Sequence, residues 1–388
     1  FIAVLIYSKL VDKFKKEKLF YILCTFYGVI FLVITGTLIA YEAWGPQVIG
    51  KYPLAGFGWV SYFAIESFGS IVIALFWSYA ASICTTDAAK VGYPFIVAVA
   101  QLSAIGASIL NIFIPQIGSI WPIFLVATIA VALVCPIINK LVRTVPADQM
   151  VSNSEKVKDR PKKKQGFFQG MVQGLVIIAT RPYIFGILII STFYEVVATI
   201  VDYQLNSQAS LVYTTPIAYA RFTGIFGTCV NTLSFLVALL GFRHILKKYG
   251  LRLCLLLYPI LLTAFLSVLY AYFLYGSPTS TQLLWATFGV MVVAKGLSYA
   301  INNPTKEMMY IPTSKDAKFK AKGFIDPFGG RSAKTIGAAI NNTFKHDLSE
   351  LMMYGTLISF GLIGVWIVAA IYVGQKNASL VKNNEIVG

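Results

Sequence analysis

Charge is scarce in this chain. Of its 388 residues only 12% are Asp, Glu, Lys or Arg, while 57% are hydrophobic. Soluble domains carry roughly 25% charged residues, so the composition excludes a water-soluble enzyme or binding module. A mean hydropathy of +0.72 places the chain among polytopic membrane proteins. Histidine is nearly absent: His244 and His346 stand apart, too few for a metal site or a catalytic triad. Cys24, Cys84, Cys135, Cys229 and Cys254 lie singly in or beside apolar runs without C-x-x-C spacing, which indicates neither a disulfide framework nor a zinc site. Acids number 16 against 32 bases, a net charge of +16. In a soluble chain that surplus would point to nucleic acid. Here it sits in short loops beside apolar segments, so it reads as a topology signal.

What the chain has in abundance is apolar runs. A helix needs about 20 such residues to cross ~30 Å of hydrocarbon, and runs of that length recur at 20–42, 58–84, 93–115, 118–142, 182–205, 218–242, 252–275, 282–302, 321–343 and 351–374. Residues 1–7 read as the end of one more span, so the sequence is expected to begin inside a helix. Basic loops follow a pattern. Lys9–Lys18, the long loop 144–168, Arg243–Arg252 and Lys306–Lys322 are rich in Lys and Arg, while 43–57, 114–118 and 275–281 are nearly uncharged. The positive-inside rule then puts the basic loops and the C-terminus in the cytoplasm.

The chain also repeats itself. Ile105-Gly-Ala-Ser-Ile109 returns as Ile336-Gly-Ala-Ala-Ile340, 231 residues later, and the same offset carries Lys16 onto Lys247 and Asn111 onto Asn342. Two parallel halves joined by a basic loop are the organisation of a major facilitator transporter. Ser8, Leu10, Asp12 and Lys13 also resemble that superfamily's loop motif. The expected fold is an all-α membrane bundle of the major facilitator type, twelve helices in two pseudo-symmetric six-helix halves. The expected domains are 1–143, a basic cytoplasmic linker 144–170, and 171–388. By the offset, about fifty residues with the first span are expected to precede residue 1.

Ionisable residues inside these runs need a reason, because each costs at least ~2.5–3.5 kcal/mol in the bilayer. Glu66 opens an aromatic-rich span. Glu195 and Asp202, seven apart, share one helix face; Lys295 interrupts Val290-Met-Val-Val-Ala-Lys295; Asp326, Arg331 and Lys334 share one run. Arg331 and Lys334, at i and i+3, point the same way and can grip one polyanion. The competing reading is that Glu195, Lys295 and Arg331 form buried pairs that lock the bundle. Gln101, Asn206 and Asn231 either read a base edge or bond a neighbouring helix. Gly323–Lys334 is no phosphate loop, since Ala333 stands where glycine must precede the lysine. No nucleophile–base arrangement appears, so no enzyme and no cofactor are expected.

One stretch is specific enough to name a family. Asn303-Pro-Thr-Lys-Glu-Met-Met-Tyr-Ile-Pro312, continuing to Asp326 and then Gly330-Arg-Ser-Ala-Lys334, resembles the ATP/ADP translocases of obligate intracellular bacteria and plastids, with looser collinear likeness over the rest of the chain. The resemblance implies exchange of ATP for ADP by alternating access, in a bacterial cytoplasmic membrane or a plastid-type inner envelope. Some members instead couple nucleotide uptake to protons or carry NAD, and another organic anion is a further alternative. It implies functional roles for Glu66, Glu195 and Lys334; a further family lysine near the N-terminus has no counterpart here. The expected substrate-binding set is Glu66, Asp202, Glu195, Asn231, Lys295, Arg331 and Lys334. Arg331 and Lys334 hold phosphate, Lys295 assists, and Glu66 and Glu195 pair with the cations when the site is empty. The expected partners are the nucleotides ATP and ADP and the lipid bilayer, with no nucleic acid, and the expected state is a monomer. Asn303–Lys322 reads mainly as a cytoplasmic loop and hinge.

Overall fold

The computed structural model describes residue 14 and residues 16–45, 54–83, 86–144, 167–240, 242–314, 321–322, 324–383 and 385–387. Residues 1–7, Cys84, most of the 144–170 linker and Lys315–Lys320 lie outside the described residues. The described residues are helical apart from short turns and one isolated parallel bridge, Thr313 to Val387. Among them, nine helical stretches are long and apolar enough to cross a bilayer. The chain is an all-α, multi-pass membrane protein.

Two compact units emerge, one from 1–100 with 113–162, the other from 101–112 with 163–388. In the first, α1 (Lys16–Trp44) packs against α2 (Leu54–Ile83) and α5 (Trp121–Thr144). Its contact face recurs at helical spacing, with Leu19, Phe20, Leu23, Tyr27, Phe31 and Ile34 all buried. Tyr27 and Phe31 meet Phe68 edge-on at 5.3 and 5.5 Å. Between α3 (Thr86–Ile112) and α5, a one-turn helix α4 (Ile114–Ile117) ends on Gly118, whose φ of +78° favours glycine. Just beyond, the Ser119 hydroxyl donates to Glu42 at 2.5 Å. Large apolar side chains on the outer faces, among them Val29, Val33, Trp59 and Phe63, stay exposed, as lipid contact requires.

The second unit is built on one long helix. Arg181 and Pro182 close α6 (Phe167–Thr180) and open α7 (Pro182–Val212), because a proline in the first turn lacks only an N–H that has no helical partner there. Lipid tails are as apolar as leucine, so helices here associate through close packing. Glycines on the partners permit it. A Cβ on Gly337 of α12 (Gly330–Thr343) would meet Thr199 Cβ of α7 at 2.8 Å, and one on Gly355 of α13 (Leu348–Lys382) would meet the Gln204 amide at 2.9 Å. Tyr194 of α7, Tyr258 of α9 (Phe242–Tyr275) and Trp366 of α13 form an aromatic triangle with centroids 5.7–5.9 Å apart. α8 (Pro216–Leu240) and α10 (Ser280–Leu297) complete this packing.

The span expected at 252–275 is present at Gly250–Tyr275, and Gly250, φ +72°, separates it from the helix that carries the basic stretch before it. The segment expected to span at 321–343 is helical from Phe324 through a wide π turn (Ile325–Gly329) into α12 (Gly330–Thr343), but it is not among the described stretches apolar enough to cross a bilayer. Arg331, Lys334 and the paired asparagines Asn341 and Asn342 lower its hydropathy.

Candidate functional site

A cavity of about 260 Å³ opens in the second unit. Ser191 and Glu195 of α7 form one wall; Asn303, Lys306, Glu307 and Tyr310 form another; Asp326 and Gly330 close it. The wall carrying Lys306 is where sequence reasoning placed a loop. In the structure α10 continues through a second π turn (Ser298–Asn302) into α11 (Asn303–Met308), and the apolar stretch runs unbroken from Ser280 to Met308. Pro304 sits in the first turn of α11, where its missing N–H costs nothing. Lys306 therefore faces a half-buried site and is no mere marker of topology. Its ammonium lies over the Tyr194 ring, 4.0 Å from the centroid, a contact that favours a desolvated cation.

The wall is braced from behind. Asn377 of α13 donates to the Tyr183 hydroxyl at 2.7 Å, and Tyr183 donates to the Met309 carbonyl at 2.6 Å. The Ser298 hydroxyl donates to Tyr194 at 2.5 Å, which orients the ring beneath Lys306. Beyond α11, Val387 donates its amide to the Pro312 carbonyl at 2.9 Å and accepts from Ser314 at 2.8 Å. Tyr310 is 3% exposed, and its hydroxyl has no hydrogen-bond partner among the described protein groups. Burial raises its phenol well above the ordinary value, so it is a neutral donor at the cavity wall. Opposite it, Lys322 pairs with Glu307 and stands 3.9 Å from Asp326.

The residues expected from sequence fall in several places. Glu195 lines the cavity, and the Lys334 ammonium stands 4.0 Å from its carboxylate. Lys334 is 66% exposed in its side chain, so this is a loose pair. Arg331 is half-buried on α12, next to Gly330 at the cavity edge. Lys295 and Asp202 form a separate, tight pair at 2.6 Å, and Lys295 also sits 5.4 Å from the centre of the Phe226 ring. Asn231 gives its amide hydrogen to Gly227 of its own helix at 2.8 Å. Gln101 bonds Ser234 at 3.4 Å, and Asn206 accepts from Tyr219 at 3.0 Å. Glu66 belongs to the first unit, where it is exposed. Sequence reasoning missed Lys306, Glu307 and Tyr310 as wall residues. The available signal was Pro304, which opens helices as readily as it ends them.

Lipid-facing helices around a cavity that gathers a lysine and three carboxylates define a membrane transport protein for a charged solute. The model of the TLC ATP/ADP transporter family matches residues 56–377, and the chain belongs to that family. It is 25% identical over 435 residues to ADP,ATP carrier protein 1 of Rickettsia bellii, covering 99% of this chain and 85% of the relative. Against the chloroplastic ADP,ATP carrier protein 2 of Arabidopsis thaliana it is 26% identical over 420 residues, 95% and 65% of the two chains. ADP,ATP carrier protein 1 of Chlamydia pneumoniae is 25% identical over 416 residues, 95% and 80%.

Proposed function

We propose that this protein exchanges ATP for ADP across its membrane by alternating access, with the 260 Å³ cavity as the place where phosphate is held. The observation that carries this reading is that Lys306 lines the cavity while Lys334 stands beside it, next to the wall residue Glu195. Lys306 is held in place over the Tyr194 ring at 4.0 Å, and Lys334 is held only at 4.0 Å from Glu195. An ion pair that long and that exposed contributes little, about 0–1 kcal/mol. A phosphate can therefore take the carboxylate's place at Lys334 at small cost. Arg331, beside that lysine, adds a second cation able to meet phosphate bidentately. The acids Glu195, Glu307 and Asp326 around the cavity balance the nearby cations when no nucleotide is bound.

Lys295 and Asp202 neutralise each other at 2.6 Å, and their part in transport is to keep the helices in register. Glu66 enters the functional set through the family resemblance alone. The basic loops and the C-terminus face the cytoplasm on the positive-inside rule, and the protein works as a monomer.

Reconstitution in liposomes tests this. Internal ADP is expected to accelerate uptake of labelled ATP by at least about tenfold over empty vesicles, with Lys334→Gln abolishing the stimulation. Uptake into empty vesicles driven by a pH gradient, and indifferent to internal nucleotide, would establish proton symport in its place.

A further inference from the structure

A second cavity of about 300 Å³ lies beside the first. Its character is the opposite. Leu188, Phe193, Val196, Phe324, Phe328 and Ile336 supply most of its wall. Of its two hydroxyls, that of Thr192 is already given to the Leu188 carbonyl at 2.7 Å, which leaves Ser332. Phe324 and Phe328 stack with centroids 5.8 Å apart and planes at 26°.

The two cavities are separated by one turn of backbone. Ile325, Asp326 and Gly330 face the polar cavity, while Phe324, Phe328 and Gly329 face the apolar one. On α7, Glu195 lies on one side of that turn, and Leu188 and Thr192 on the other. The partition is thin at Gly329, where a Cβ would already touch Leu188 and Thr192 at 3.3 Å. A ligand that fits both sides must be anionic at one end and flat and apolar at the other.

Resting on the nucleotide reading above, we infer that the apolar cavity is the seat of the nucleobase, held by stacking on Phe324 and Phe328 while the phosphates meet Lys306 and Lys334. The amides that could have read a base edge are engaged elsewhere: Asn231 with Gly227, Gln101 with Ser234 and Asn206 with Tyr219. Stacking tolerates any base because each has a π face. The site therefore selects for a ring, with little discrimination between adenine and guanine.

Calorimetry on the purified full chain with two probes, ADP and inorganic pyrophosphate, tests the placement. Ser332→Phe fills the apolar cavity from its exposed rim, and Phe328→Leu removes a stacking face at nearly constant volume. Each is expected to weaken ADP roughly tenfold or more and leave pyrophosphate unchanged, while Lys306→Gln weakens both. Phe328→Leu serves if the bulkier variant fails to elute as a single species. ADP binding unaltered in both variants, or ADP and pyrophosphate falling together, would overturn the placement with exchange still standing. Loss of a co-purified phospholipid in Ser332→Phe with ADP affinity intact would make the cavity a lipid site. Wild type that binds neither probe would remove the transport reading and this inference together.

Discussion

The Lys295 ammonium lies 2.6 Å from the Asp202 carboxylate, joining α10 to α7, and both side chains remain about a third exposed. That makes it a tight pair in a wet setting. Removing either partner leaves the other charge unpaired on a partly solvated face.

Lys295→Gln or Asp202→Asn should each destabilise the protein by up to about 1 kcal/mol, the range of a solvent-accessible ion pair. The exchanged pair Lys295→Asp with Asp202→Lys should recover most of it. Thermal unfolding in detergent measures both, and a swap no better than the single changes would show that the residues do not act as a pair.

Glu195→Gln should behave differently. The contact with Lys334 is 4.0 Å long and exposed, so stability should change by less than about 1 kcal/mol while exchange falls at least tenfold. Parallel melting and liposome uptake separate the two effects. A large loss of stability would reassign Glu195 to structure.

Tyr183→Phe keeps the ring and deletes the hydroxyl that links Asn377 to the Met309 carbonyl. Two buried groups lose a partner, at a cost of about 1–3 kcal/mol each. Because Met309 follows the helix that carries Lys306, nucleotide affinity should fall along with the melting temperature.

Gly337→Ala places a methyl 2.8 Å from Thr199 Cβ and 3.0 Å from the Val196 carbonyl. Overpacking of this kind costs about 1–3 kcal/mol. It should also stretch the bond from the Asn341 amide to the Thr199 carbonyl, now 3.1 Å. Gly361→Ala, which has open space around it, is the control and should be neutral.

Several of these features were legible in the sequence. Apolar runs long enough to cross a bilayer announce themselves, since nothing else requires them. Glu195, Asp202, Lys295 and Lys334 stood out as charges where charge is costly, and two of the pairs they form use only those residues. Their pairing did not follow from spacing, because Glu195 and Asp202 share one helix face yet find lysines on different elements. Asn231 was undecidable, since a bond to its own helix leaves no mark on the sequence. Lys306 was hidden by its company. A run of polar residues with a proline reads as a loop, and only the wide turn before it shows that the helix goes on.

That wide turn has a consequence for insertions and deletions. Each residue of an α-helix advances the next by about 100°, so the turn at Ser298–Asn302 sets the azimuth of everything after it. Deleting one residue between that turn and Lys306 would swing Lys306 away from the Tyr194 ring by more than a quarter of a revolution. The polar cavity is therefore encoded partly by a count of residues, and a scan for substitutions alone would never find that part of the code.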